Sequence, residues 1–114
     1  MSASATIRQA GKVSIIDLAG RITLNDGAGA IRDAVQGVLA GGGQDILLNL
    51  GAVVYIDSSG LGELSSAYIA VSRVGGRLKL LNPQPKVDGI LQVTRLYSIL
   101  VAFTEESAAL ESFR

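Results

Sequence analysis

The sequence predicts an α/β protein with a central, mostly parallel mixed sheet of about five strands flanked by about four helices. Three observations lead there. Short β-prone runs alternate with segments whose apolar residues recur at three and four positions, and glycine clusters separate them. The run "DILLNL", Asp45 to Leu50, is almost continuously apolar, as expected of a strand covered by helices on both faces. The order is two strands, then helix and strand in alternation three times, then a closing helix, which implies right-handed parallel crossovers.

Ile7, Val13, Ile15, Ile16 and Leu18 lie in two opening β-prone runs around "QAGK", Gln9 to Lys12, where Gly11 suits a tight hairpin. After Gly20 the period changes. Ile31, Ala34, Val35, Val38 and Leu39 mark one face of a helix that "GGG", Gly41 to Gly43, ends, and Asn25 or Asp26 is available to cap its start. Asp45 to Leu50 follows as the central strand. Leu61, Leu64, Ala67, Tyr68 and Val71 share a second helical face, with Ser58 or Ser59 as N-cap and Gly75 and Gly76 as the stop. "RLKLL", Arg77 to Leu81, is the next strand; Pro83 and Pro85 punctuate the turn before a helix set up by Val87, Ile90, Leu91 and Thr94. Ile99 to Phe103 makes the last strand. The closing helix begins near Thr104, with Glu105 and Glu106 complementing its positive end and Ala109, Leu110 and Phe113 facing inward.

The chain's 114 residues, 48% hydrophobic, fit one compact domain over residues 1–114. Ten basic and ten acidic residues balance without a run of either sign, which gives no support to a nucleic-acid partner or an anionic-membrane surface. The first residues lack a secretory pattern, and no apolar stretch approaches the roughly 20 residues of a bilayer span, so the expectation is a soluble cytoplasmic protein without membrane insertion. Cysteine and histidine are both absent, which removes disulfides, thiolate chemistry, the usual Cys/His zinc sites and any histidine base. Aromatic residues make up 4%, with no tryptophan, too few for a stacking platform. Neither cofactor nor metal is expected.

One stretch carries the functional signal: "YIDSSGLGEL", Tyr55 to Leu64, where an apolar run breaks at Asp57 before two serines and a glycine-spaced helix start. A serine at a strand-to-helix turn can be a nucleophile, but neither serine has a glycine two residues before it. No histidine can act as base, and no lysine stands in an S-x-x-K arrangement, so enzymatic serine catalysis is excluded. A phosphate-binding loop at "NDGAGAIR", Asn25 to Arg32, is a weak signal, because Arg32 occupies the third glycine position of G-x-G-x-x-G and no G-K-S/T follows. Capping by one serine contributes about 1 kcal/mol. It leaves Gly60 and Gly62 unexplained, each costing about 1 kcal/mol against alanine inside a helix. Both are accounted for by a docking surface in which the glycines admit a partner's backbone, Leu61 is an apolar anchor and a serine hydroxyl reaches the partner's active site. The position also suits phosphorylation, since a phosphoserine would face the helix N–H groups and repel an apolar or acidic partner.

"LNLGAVVYIDSSGLGEL", followed by "GGRLKLLNPQPKV" and "ILQVTRL", resembles the anti-sigma factor antagonist family, the STAS domains, over almost the whole chain. The resemblance implies a small α/β domain and a partner switch. An unphosphorylated antagonist binds an anti-sigma factor that is also a serine kinase; the kinase phosphorylates it, it lets go, and a serine phosphatase resets it. The acceptor maps onto Ser58, leaving Ser59 as the cap. Contact is then expected from Thr23, Asn25, Asp26 and Gly27 in one loop and from Asp57, Ser58, Ser59, Gly60, Leu61, Gly62 and Glu63 in the other, with Asp57 fixing the turn. One departure stands out: "GRIT", Gly20 to Thr23, places Arg21 and Thr23 where many antagonists are acidic. The same family also contains constitutive scaffolds and accessory subunits of signalling complexes and lipid-transport ATPases, for which no phosphorylation is expected.

Overall fold

The computed structural model of the chain describes residues 3–114. β1 (Ser4–Ala10) and β2 (Val13–Ile22) form an antiparallel hairpin turned at Gly11, whose φ of 62° suits a residue without a side chain. α1 (Ala28–Ala40), β3 (Asp45–Ile56), α2 (Ser58–Arg73), β4 (Arg77–Leu81), α3 (Pro85–Val93), β5 (Ala102–Phe103) and α4 (Glu106–Glu111) follow. The sheet order is β1-β2-β3-β4-β5, parallel except for the first pair. The α/β class, the five-stranded mixed sheet, its four helices and the central place of the Asp45 strand are as the sequence predicts.

The glycine clusters end helices by one device. In α1 the Gly43 N–H donates to Val38 O at 3.0 Å and the Gly42 N–H to Leu39 O at 3.1 Å, with Gly42 at φ 91°. α2 repeats it with Gly76 to Val71 and Gly75 to Ser72, both 3.0 Å, and Gly75 at φ 79°. Both are Schellman closures, which need a left-handed residue just past the helix.

Four local expectations are corrected. α1 has no side-chain cap: its N-cap is Gly27, not Asn25 or Asp26, because the Asp26 carboxylate instead accepts from the Ala3 N–H at 2.9 Å. The Thr23 carbonyl accepts from the Ala28 N–H at 3.2 Å in its place. β3 runs on past Leu50 to Ile56, since β2 continues to pair with it beyond two register shifts, as far as Ile22 opposite Ile56. The last strand shrinks to Ala102 and Phe103, because a 3₁₀ turn at Leu96–Ser98 draws the Ile99 and Leu100 N–H groups onto Leu96 O. α4 is capped at Glu105 and starts at Glu106 rather than near Thr104.

The sheet buries both faces unequally. On one side Ile16, Leu48 and Leu80 meet Ile31 and Val35 of α1, Leu64 and Val71 of α2 and Val87 and Leu91 of α3. On the other, Ala109 and Phe113 at the C-terminal end pack on Val13, Ile15, Leu47 and Leu81. α1 and α2 therefore lie side by side, and both open at the carboxyl ends of β2 and β3, where open α/β sheets present their sites.

Candidate functional site

The start of α2 is organised by Asp57. Its extended backbone (φ −105°, ψ −173°) places the carboxylate over the helix end, where Oδ1 accepts from the Gly60 N–H at 3.0 Å. Its Oδ2 accepts from the Leu24 N–H at 3.1 Å, and its own N–H donates to Ile22 O at 3.1 Å. One residue thus caps α2 and ties it to the loop between β2 and α1. The Gly60 N–H, and after it those of Leu24 and Ser59, hold the Asp57 carboxyl below the ordinary carboxylate range.

The expectation of a serine cap is corrected accordingly: neither Ser58 nor Ser59 is the N-cap, and the two are the first residues of the helix proper. Asp57 wins because a carboxylate accepts more strongly than a hydroxyl from helix-end N–H groups. Ser58 is exposed and Ser59 half-buried. Ser58 lines a shallow depression of about 230 Å³ with Leu61, Gly62, Ser65, Thr94 and Leu96. No ionisable side chain lines it, so no base stands there to activate the hydroxyl.

The two glycines of the motif separate in role. A Cβ on Gly60 would lie 2.6 Å from Ile56 Cγ1 and 2.7 Å from Ile22 O, so this glycine serves internal packing between α2 and two strands, and the expectation that it admits a partner's backbone is corrected. A Cβ on Gly62 meets nothing within 4 Å, leaving open backbone on the surface. Leu61 is half-buried against the core, with part of its surface in the depression. Glu63 stands 3.9 Å from Arg32 of α1.

The other loop is brought alongside. Thr23 and Asp26 exchange backbone hydrogen bonds at 3.1 and 3.3 Å, with Leu24 and Asn25 between them, and Leu24 is 71% exposed. Gly27, at φ 125°, fits only as glycine, because a Cβ would lie 2.8 Å from both Ala3 Cβ and Arg21 O. Arg21 stacks on the Tyr55 ring at 4.8 Å, and Lys86 lies 5.6 Å from the same ring. Reading the sequence took Leu24 only as part of the Thr23 to Gly27 loop and missed Thr94 and Leu96. Leu24 carried a local signal, an apolar residue between Thr23 and Asn25 in a turn; Thr94 and Leu96 join Ser58 only through the fold.

A model of the STAS domain matches residues 4–109. The chain belongs to the STAS domain family. A Thermotoga neapolitana relative, a candidate anti-sigma factor antagonist, is 39% identical over 66 residues, 58% of each chain. An anti-sigma F factor antagonist of Paenibacillus polymyxa is 30% identical over 67 residues, 59% of this chain and 57% of that protein. The matches thus span under three fifths of either curated relative. Among solved structures, a candidate anti-sigma factor antagonist of Thermotoga maritima superposes with a TM-score of 0.84 at 25% identity, covering 96% of this chain and 94% of its own. The STAS resemblance carried by "DSSGLG" and the blocks after it is confirmed, and with it the fold. No helix among the described residues is long and apolar enough to cross a membrane.

Proposed function

We propose that the protein is an anti-sigma factor antagonist that docks on an anti-sigma factor serine kinase and is released when Ser58 is phosphorylated. The carrying observation is that Asp57 alone caps α2, leaving Ser58 exposed at the helix start beside the apolar contact of Leu61. The relatives named as anti-sigma factor antagonists support the same reading. The docking surface comprises Ser58, Ser59, Leu61, Gly62 and Glu63 with the Thr23, Asn25, Asp26 and Gly27 loop and Leu24 at its tip; Asp57 holds the two parts together. In the cytoplasm the kinase transfers the γ-phosphoryl group of ATP to the Ser58 Oγ. The new O–P bond forms as the bond to ADP breaks, and the hydroxyl proton passes to the kinase's own base. The added charge, about −1.5 to −2, cannot be desolvated against an apolar or acidic surface, so the partner leaves. A serine phosphatase hydrolyses the ester and restores the docking form.

Incubation with the kinase and ATP, followed by intact-mass measurement, should add one phosphate to the protein and none to Ser58→Ala. Ser58→Ala should stay bound in the presence of ATP, and Ser58→Asp should bind weakly. Unchanged binding by both variants would remove the switch. No phosphate on the parent would leave a constitutive docking subunit of a scaffold or a transport ATPase.

A further inference from the structure

A phosphate beside a helix start ordinarily finds free N–H groups. Here the Gly60 N–H is already taken. The Asp57 carboxylate accepts from Gly60 at 3.0 Å and Leu24 at 3.1 Å, and is held below its ordinary range by the Ser59 N–H as well. A phosphate on the next residue therefore competes with the Asp57 carboxylate at the helix start and meets its like charge, which calls for a cation.

Most cations are elsewhere or occupied. Arg32 lies 3.9 Å from Glu63, and Arg21 and Lys86 lie against the Tyr55 ring. Arg73 closes the far end of α2, and Lys12 sits in the β1–β2 turn, beyond the opposite end of the sheet. Arg95 stands apart. Both its chain neighbours, Thr94 and Leu96, line the depression that contains Ser58 and Leu61. It is exposed, and among the described residues it makes no ion pair. It also holds a left-handed backbone (φ 61°, ψ 22°), a conformation that favours glycine, between α3 and the 3₁₀ turn. An arginine placed there presents a planar donor fork suited to phosphate oxygens.

We infer that the Arg95 guanidinium receives the phosphate carried by Ser58 and holds it over the depression beside Leu61; the inference rests on the reading of Ser58 as phosphoacceptor. The phosphorylated form then covers the apolar contact as well as repelling the partner. The phosphate stays accessible from solvent on its outer side, where a phosphatase must reach it.

The test installs phosphoserine at position 58 during synthesis, so no kinase is needed, and follows the phosphate by ³¹P NMR titration. In the parent its second pKa should fall below the free phosphoserine value of about 6, and Arg95→Gln should raise it by about 0.5 unit or more. Arg95→Lys should keep part of the shift. Arg95→Gly, relieved of the left-handed side chain, should fold at least as stably and still lose the shift, which separates phosphate contact from folding. Equal titration curves in parent and Arg95→Gln overturn the inference. Failure of the kinase reaction on the unmodified protein would instead sink the phosphoacceptor reading, and the installed phosphate would still judge Arg95.

Discussion

α1 and α2 both follow the carboxyl end of a parallel strand, lie side by side on one face of the sheet and end in the same glycine closure, yet their starts are built oppositely. α1 opens on Gly27, which has no side chain to cap with, and its loop is secured from outside by Asp57 and Ala3. α2 opens on Asp57, whose carboxylate secures both starts. A single post thus supports both starts, and the hydroxyl beside the post is not the cap. That division leaves the exposed Ser58 hydroxyl outside the capping of α2.

Substitutions at the two glycines of α2 should break the comparison most. Gly60→Ala drives a Cβ to 2.6 Å from Ile56 Cγ1 and 2.7 Å from the Ile22 carbonyl, backbone that cannot give way. It should cost about 2–3 kcal/mol in urea unfolding. Gly62→Ala, with nothing within 4 Å, should instead stabilise by about 0.5–1 kcal/mol and impair only docking. Equal effects at both positions would refute the separation of packing from surface.

Removing the post should weaken both starts together. Asp57→Ala is expected to lower Tm and to speed amide exchange at Gly60 and Leu24, whereas Ser59→Ala should change neither. Exchange that rises only at Gly60 would show that the loop stands without Asp57.

The smallest effect is acidic. The folded Asp57 carboxyl titrates below its ordinary value because the Gly60 and Leu24 N–H groups favour the ionised form. Its contribution is therefore fully present above the unfolded value of about 3.9 and is lost as pH falls through the folded one. Asp17 and Glu106, depressed chiefly by hydrogen bonds from Arg8, add to the same acid limb. Asp57→Asn, which can still cap Gly60 but cannot also accept from Leu24, should lower stability near neutrality and flatten its dependence on pH below about 4.

The serines show where reading the sequence reached its limit. Ser58, Ser59 and Asp57 are all good caps, and which one wins depends on backbone angles and on Leu24, 33 residues away from Asp57. Gly60 and Gly62 are equally alike as letters. Only Ile22 and Ile56, brought against Gly60 by the β2–β3 pairing, distinguish them.

The alternation of apolar periods, the continuous apolar run of β3 and the glycine stops determined by themselves the order of elements, the parallel sheet and the helix ends. These follow from local backbone preferences and one-dimensional burial patterns. Which residue caps α2, which glycine is internal, and the meeting of Thr94 and Leu96 with Ser58 were decided by the tertiary structure. Each depends on contacts between segments far apart in the chain, whose geometry exists only once the sheet has paired and the helices have packed on it.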